Sequence, residues 1–261
     1  MSKLNQLFRN RIGISEDEKI TFENLNFVLE HTAKSIPFEN LCIIKNKTTE
    51  LTRENLIKKI INQEGGLCYD LNAILYLFLI ENGFQAKLIR GVIFNHHNKG
   101  WNTIGKTHVA IIITEDGVLY LIDTGFGGNL PLTPVPLTGE VVSSFNGDFR
   151  VKKEKSEHGD YIFYMKLKHK DTDWKLGYAF DSTEDIQNIS ELNKVQKIIT
   201  EHPKSPFNKK PLITKLTDKG NITLTENTFT EWIDGKVIKK EISADDFQEI
   251  IEKYFDMHTS Y

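Results

Sequence analysis

The chain has 261 residues, enough for more than one domain, and its 33 Lys and Arg against 36 Asp and Glu give a net charge of −3. This balance lacks the basic excess that binds nucleic acid or anionic membranes, so neither partner is expected. The two cysteines are too few for a disulfide framework, and the amino terminus has no signal-peptide pattern. The longest apolar stretch falls short of the ~20 residues of a membrane span. We therefore expect a cytoplasmic protein.

The first third of the chain is predicted to be helical. Ser15 and Glu18 form a capping-box pattern, followed by apolar residues at helical spacing until Pro37. A second helix is expected over residues 52–63. A third begins near Cys68 and ends just before a glycine. Because this third helix is apolar nearly all round, it should be the buried, central one.

From residue 84 the pattern changes to short stretches rich in β-branched and aromatic residues. Asp116-Gly117 and Asn146-Gly147 between them are turn sequences, so an antiparallel sheet or small barrel is predicted. The predicted strands read FQAKLIRGVIF, THVAIIIT, VLYLID, YIFYMKL and WKLGYAF.

The remaining residues are predicted to mix helices and strands. A capping-box pattern at Ser182 and Asp185 predicts a helix, which leads into a loop rich in Pro and Lys. Three short strands follow, LITKL, NITLTE and TFTEWI, and a pattern at Ser243 and Asp246 starts a final helix.

The stretch EGGLCYDLN places Cys68 at the predicted start of the central helix. A thiol is a nucleophile as thiolate, which the unpaired N–H groups and dipole of a helix N-terminus favour. Gly65 and Gly66 have no side chains, which would let a carbonyl approach the sulfur. The alternative is a structural one, since a free cysteine also fills core space as a small hydrophobe.

A catalytic thiol needs an imidazole and a carboxylate, and the hairpin at Asp116-Gly117 supplies both. Of the eight histidines, His108 opens a strongly β stretch. A two-residue turn there places His108 opposite Gly125 and Asp123 diagonally on the same face, and a register shifted by one residue places it directly opposite Asp123. A three-residue loop without a bulge would separate them. Asp123 could otherwise be a strand-end carboxylate that caps a turn.

Four motifs, IPFENL, GGLCYDLN, THVAIII and LIDTGFGG, together resemble the arylamine N-acetyltransferases in order and spacing. The resemblance implies a ping-pong acyltransferase that uses acetyl-CoA as co-substrate and needs no metal. It also implies that an acetyl group passes through Cys68 to a small-molecule arylamine, hydrazine or arylhydroxylamine. Cys68 would be the nucleophile, His108 the base and acid, and Asp123 the orienting carboxylate.

The same resemblance implies an α+β fold with a papain-like Cys-His-Asp arrangement. Its parts would be an N-terminal helical domain (1–83) with the nucleophile, an antiparallel β-barrel (84–181) with the histidine and aspartate, a helical interdomain segment (182–210) and a C-terminal α/β lid (211–261).

Ligand-binding residues are also implied by the resemblance. Glycines allow backbone to approach a pantetheine arm, and aromatic rings line an acceptor pocket. A turn and core phenylalanines are the structural alternatives, and the Lys204, Lys209 and Lys210 run is either solvated or near phosphates. The implied cofactor-binding residues are Thr107, Gly125, Phe126, Gly127, Gly128 and Phe207; the implied acceptor-binding residues are Phe38, Phe126 and Phe207.

One position departs from the family pattern. The family usually has Arg before Gly-Gly, as a partner for the Glu of PFEN, but here Glu64 would face Glu39 with a like charge. Arg53 or Lys34 could bridge the two carboxylates, or Glu64 could point to solvent. If Glu39 is buried nearby, Glu64→Arg should stabilise the protein.

Three alternatives to the acyltransferase stay open. A cysteine hydrolase or transglutaminase-like enzyme can use the same Cys, His, Asp order. A low-activity homologue could serve as a small-molecule binding module. An amide synthase that closes macrolactams also resembles this family.

Overall fold

The computed structural model describes residues 1–168 and 170–257, so His169 and residues 258–261 lie outside the described part. Short 3-10 turns occur at Phe22–Asn24, Ile189–Leu192 and Pro206–Asn208. The α-helices are α1 (Lys3–Ile12), α2 (Leu25–Ser35), α3 (Leu41–Ile44), α4 (Arg53–Ile61), α5 (Cys68–Glu81), α6 (Asn193–Glu201) and α7 (Ala244–Phe255). The strands are β1 (Phe38–Glu39), β2 (Gln85–Asn95), β3 (Gly100–Trp101), β4 (His108–Glu115), β5 (Val118–Ile122), β6 (Val135–Pro136), β7 (Val142–Ser144), β8 (Gly147–Ser156), β9 (Gly159–Leu167), β10 (Lys175–Phe180), β11 (Leu212–Thr217), β12 (Gly220–Thr225), β13 (Thr228–Ile233) and β14 (Lys236–Glu241).

Helix α5 is the centre of the helical part, as its apolar sequence predicts. Every residue from Cys68 to Leu79 is buried, and the helix packs on α1, β2 and β4. The chain leaves the helix through Gly83, whose φ of +91° suits glycine because other residues would be strained there. Within residues 1–168 and 170–257, no helix is long and apolar enough to cross a membrane.

The larger sheet is antiparallel and nearly closed. Its order is β6-β5-β4-β2-β10-β9-β8-β7, with β3 on β2, and β6 also contacts β8. A second apolar core lies in this sheet and includes Phe149, Phe163 and Tyr178. The Asp116-Gly117 hairpin has the predicted two-residue turn, since Glu115 pairs with Val118.

The smaller sheet joins the two ends of the chain. Its order is β1-β11-β12-β13-β14, so the short strand β1 adds to strands from the last fifty residues. Phe38 pairs with Thr214 and Glu39 with Ile213, while α7 contributes Phe247, Ile251 and Phe255 to a shared core with this sheet. The expected α+β class of helices, barrel-like sheet and C-terminal α/β unit is confirmed; the domain boundaries at 83, 181 and 210 stay predictions.

Two predicted helix starts are wrong. Ser15 and Glu18 lie in a turn because the Arg9 guanidinium takes both of their carbonyl oxygens, at 2.8 and 2.9 Å. The capping box lies instead at Thr21 and Asn24, ahead of α2.

The second error is at Ser182, where no helix starts. Its N–H and hydroxyl both bond the Asp160 carboxylate, at 2.8 and 2.7 Å, so they are not available to cap a helix. Asn188 caps the 3-10 turn that precedes α6.

Several elements were not predicted, among them α1, β8 and β14. Helix α1 does have a sequence signal, since Leu4, Phe8 and Ile12 recur at helical spacing, and all three are buried. Strands β8 and β14 are rich in lysine. Strand β14 is exposed along its whole length at the edge of its sheet, where neither face has to be apolar.

Candidate active site

Cys68 is the first residue of α5, as predicted, and its side chain borders an open cavity. Leu67 is the N-cap, and its N–H donates to Oδ2 of Asp70 over 3.1 Å. The first N–H groups of a helix have no intrahelical acceptor, which puts a positive partial charge beside the thiol. Although only 5% of Cys68 is exposed, it lines a cavity of about 460 Å³.

Gly65 and Gly66 do not clear the space in front of the sulfur, so that part of the prediction is wrong. A Cβ on Gly65 would lie 2.2 Å from the carbonyl oxygen of Pro37, and one on Gly66 would lie 2.5 Å from Cβ of Asp70. The two glycines therefore allow close packing behind the helix N-terminus, against β1 and against the capping carboxylate.

Strands β4 and β5 bring His108 and Asp123 together. Nε2 of His108 lies 2.7 Å from Oδ2 of Asp123, and each residue is 1% exposed. The Cys68 side chain donates to the carbonyl oxygen of Thr107 over 3.5 Å and also interacts with the His108 imidazole. Because Asp123 occupies Nε2, Nδ1 is the ring nitrogen left for the sulfur. The three side chains that the sequence singled out thus converge, and Cys68 and His108 both line the cavity.

Asp123 is held by four hydrogen bonds. Oδ2 accepts from His108 and from the hydroxyl of Tyr178, at 2.7 and 2.9 Å. Oδ1 accepts from Nδ2 of Asn72 and from the N–H of Gly125, at 3.0 and 2.8 Å. Both oxygens are therefore occupied, which fixes the carboxylate against rotation.

Sequence reasoning missed the roles of Asn72 and Tyr178. Asn72 did carry a signal, because it is a polar side chain in an otherwise apolar run, one helical turn after Cys68 and on the same face. Tyr178 carried none beyond its place in a β stretch. Gly125 is the glycine that approaches the nucleophile, since a Cβ there would lie 2.6 Å from Cα of Cys68.

The charges of the buried pair reinforce each other. Burial lowers the pKa of His108, but the neighbouring Asp123 carboxylate and the hydrogen bonds with Asp123 and Cys68 outweigh it and raise the pKa above its usual value. Burial raises the pKa of Asp123, yet the positive charge of His108 and the hydrogen bonds lower it overall. Near neutral pH the pair is an imidazolium and a carboxylate.

The cavity contains every residue that the resemblance assigned to ligand binding. The Phe38 and Phe207 rings meet edge-on with centroids 5.6 Å apart, and the Phe126 ring lies 4.9 Å from the imidazole. Among the described residues, the lysine in the lining is Lys170, whereas Lys204, Lys209 and Lys210 are not part of it. Members of the lining include Phe38, Cys68, Thr107, His108, Gly125, Phe126, Gly127, Gly128, Lys170, Phe207, Asn221 and Trp232.

Behind the helix, Lys59 lies among the carboxylates that the sequence left without a known partner. Its Nζ is 3.9 Å from Oε2 of Glu64 and 3.5 Å from Oδ1 of Asp70. Its charge also lowers the pKa of buried Glu39, although burial is the larger effect and the net shift is upward. Lys59 is therefore the cation that the carboxylates of Glu39, Glu64 and Asp70 share.

The two cations that the sequence suggested for this place are engaged elsewhere. Arg53 pairs with Glu81. Lys34 pairs with Glu30 and Asp218, each at 2.6 Å. The suggestion that either of them bridges Glu39 and Glu64 is therefore wrong, because other carboxylates bind both cations.

The matches to known proteins agree with this geometry. A model of an N-acetyltransferase family matches residues 21–260. The uncharacterized acetyltransferase YvcN of Bacillus subtilis is 40% identical, covering 94% of each chain. Probable arylamine N-acetyltransferase 3 of Dictyostelium discoideum is 36% identical over 85% of this chain and 81% of its own.

A crystal structure with a similar fold is the NAT3 arylamine N-acetyltransferase of Bacillus cereus. Its TM-score is 0.93 at 39% identity, with 99% of this chain and all of that chain covered. That enzyme is described as having a unique Cys-His-Glu catalytic triad, whereas the carboxylate beside His108 here is Asp123. A Mycobacterium marinum arylamine N-acetyltransferase in complex with CoA shares the fold, with a TM-score of 0.83 at 22% identity over 97% and 92% of the two chains.

A thiol, an imidazole and a carboxylate in hydrogen-bonded sequence, at a helix N-terminus facing a cavity, define a cysteine-dependent enzyme. With a family model over residues 21–260 and relatives matched over most of their length, the class can be given more closely. The chain belongs to the arylamine N-acetyltransferase family.

Proposed function

We propose that this protein moves an acetyl group from acetyl-CoA to an arylamine, hydrazine or arylhydroxylamine through an acetyl-cysteine at Cys68. The observation that carries the proposal is the interaction between Cys68 and the charged His108–Asp123 pair, where Cys68 and His108 line an open cavity. An imidazolium beside a thiol favours the thiolate, the form that attacks a thioester.

In the first half-reaction the Cys68 sulfur attacks the carbonyl carbon of the thioester. The bond between that carbon and the CoA sulfur breaks as the tetrahedral intermediate collapses, and the departing CoA thiolate takes the proton from His108. We assign stabilisation of the oxyanion to backbone N–H groups at the start of α5, since the first N–H groups of a helix have no intrahelical acceptor.

In the second half-reaction the acceptor nitrogen attacks the acetyl carbon, and the bond to the Cys68 sulfur breaks. The neutral imidazole left by the first half takes the proton from that nitrogen, so His108 returns to its charged form beside the restored thiolate. Asp123 acts as the orienting residue in both halves, because its bond to Nε2 keeps Nδ1 toward the sulfur.

The lining of the cavity supports a flat, apolar acceptor. Phe38, Phe126 and Phe207 present three aromatic rings to the cavity that Cys68 lines, which suits the stacking and edge contacts of an arylamine ring. Gly125, Gly127 and Gly128, with Thr107, form the part of the wall where backbone can approach a pantetheine arm most closely.

Intact-protein and peptide mass spectrometry after mixing with acetyl-CoA, without an acceptor, tests the proposal. We expect a gain of one acetyl group on the peptide that carries Cys68, its disappearance when an arylamine is added, and no gain in Cys68→Ala. Hydrolysis of p-nitrophenyl acetate at the same rate with and without an arylamine would indicate a hydrolase and would contradict the proposal.

A further inference from the structure

Lys59 is a buried cation that the proposed chemistry does not use. Only 7% of the residue is exposed, and it lies in the last turn of α4. Burial lowers its pKa, but nearby Asp70, Cys42, Glu39 and Glu64 outweigh this effect and the pKa is raised, so the side chain is charged. A buried ammonium is costly unless charged partners compensate it, so its position calls for an explanation.

Asp70 connects this cation to the nucleophile. Oδ2 of Asp70 accepts the N–H of Leu67, and its other oxygen, Oδ1, lies 3.5 Å from Nζ of Lys59. Asp70 is 3% exposed and is the third residue of the helix that begins with Cys68. The carboxylate thus has one oxygen on the helix N-terminus and one on the ammonium.

We propose that Lys59 is a positioning residue that acts through Asp70 to set the N-terminus of α5, and with it the placement of the Cys68 sulfur against His108. The proposal rests on the acyltransfer function proposed above. In this proposal the ammonium of Lys59, on α4, keeps the capping carboxylate of Asp70 charged and in place. It does so although the residue before Gly65 is the acidic Glu64.

The electrostatics of the cluster support this role. Burial raises the pKa of Asp70, and the charge of Lys59 is the largest opposing influence. Without Lys59, Asp70 would take up a proton or would turn toward solvent, and in either case its bond to Leu67 would weaken. The N-terminal turn would then lose a charge-assisted cap.

Glu64 also contacts Lys59 but does not join it to the helix. Its side chain is 25% exposed and receives a hydrogen bond from Asn62 at 3.0 Å, away from α5. Glu64→Gln is therefore a matched control: it removes a carboxylate from Lys59 and leaves the bond between Asp70 and Leu67 intact.

The test measures the rate at which iodoacetamide alkylates Cys68, followed on its peptide by mass spectrometry so that Cys42 does not interfere. This readout needs no acetyl-CoA, so it is independent of whether acyl transfer occurs. The variants are Lys59→Met, Lys59→Arg, Asp70→Asn, Glu64→Gln and the double variant Lys59→Met with Asp70→Asn, each with its pH profile and melting temperature.

We expect Lys59→Met to slow alkylation of Cys68 by about 10- to 100-fold, the range that follows from small misplacement of a reacting group. Lys59→Arg should recover most of the rate, and Glu64→Gln should stay within about twofold of the wild type, as surface-charge changes do. In acetyl transfer the loss should fall on kcat rather than on the KM for the acceptor.

The double variant decides the mechanism, including the case in which Lys59→Met alone does not fold. If Lys59 acts through Asp70, the double variant should match Asp70→Asn in the rate of Cys68 alkylation, because removing the cation has no further effect on the nucleophile once its target is neutral. The proposal would be overturned if the two substitutions reduced the rate of Cys68 alkylation additively. A folded Lys59→Met variant that is alkylated at the wild-type rate would also overturn it.

Discussion

The two sides of the N-terminus of α5 are built differently. In front, Asp123 makes four hydrogen bonds of 2.7 to 3.0 Å with side chains and backbone on three elements and a loop. Behind, Lys59 meets its acidic neighbours at 3.5 and 3.9 Å, and three carboxylates share its one charge. The front is held by directional bonds and the back by charge at longer range.

This difference separates two tasks. Proton transfer needs atoms within hydrogen-bond reach and in fixed orientation, so the front of the helix requires bonds that specify angle as well as distance. The back has only to keep the capping carboxylate charged, which an ammonium accomplishes over several directions of approach. Substitutions on the two sides should therefore differ in the quantity that they change.

Asp123→Asn should have the strongest effect on activity. That effect should come from the His108 side of the α5 N-terminus alone. An amide would let the imidazole adopt the wrong tautomer, so kcat/KM for acetyl transfer should fall by about 10³- to 10⁴-fold, as expected when a triad loses its orienting carboxylate. Steady-state assays would measure this, with Tyr178→Phe as the control that removes one of the four bonds and should cost far less. A loss below tenfold would show that the carboxylate does not orient the base.

The change of stability with pH should depend on the pairing of His108 with Asp123. The folded-state pKa of His108 is raised, so the stability contributed by its pairing is complete below its unfolded value near 6.5 and is lost as pH rises through the raised value. Thermal unfolding from pH 6 to pH 10 should show the gap between wild type and Asp123→Asn narrowing at the alkaline end. A gap that widens there would contradict the charged pair.

Gly65→Ala should damage the back of the helix through packing rather than charge. The new methyl would lie 2.2 Å from the Pro37 carbonyl oxygen, so we expect the free energy of unfolding to fall by about 1–3 kcal/mol, as for overpacked cores. Gly100→Ala is the matched control, since its methyl would meet nothing closer than 3.9 Å. Denaturant unfolding of both variants checks this, and equal effects would exclude the steric explanation.

Glu64→Arg should have the smallest effect, a rise in unfolding free energy of less than about 1 kcal/mol. Glu39 is buried nearby, which favours the new cation, but Lys59 already lies 3.9 Å from residue 64 and would repel it. Chemical denaturation would measure the change, with Glu64→Gln as the control that only removes charge. In a Lys59→Met background the same arginine should stabilise more; no difference between backgrounds would show that the two cations do not compete.

Much of the site could be anticipated because its signals are local. The thiol at a helix start, the period-two strand that opens at His108 and the two-residue turn at Asp116-Gly117 each follow from a few neighbouring residues. The register of that hairpin then places Asp123 without any other part of the fold. The reason assigned to Gly65 was wrong, because what a glycine avoids depends on the segment packed against it.

The errors have the same origin as the missed partners. Ser15 and Ser182 carry valid capping patterns, but Arg9, six residues before Ser15, and Asp160, 22 residues before Ser182, bind these segments and hold the chain in turns. Tyr178 lies 55 residues from the aspartate to which it donates. No local pattern identifies such pairs.

The amino-acid order alone established the family, the α+β class and the three converging side chains, since helix starts, turns and strand alternation are properties of neighbouring residues. Only folding decided which cation stands behind the nucleophile. Lys59, and not the arginine or lysine that the sequence suggested, is brought to Asp70 by the packing of α4 beside α5. Its selection depends on burial and on distance through space, and neither is encoded in spacing along the chain.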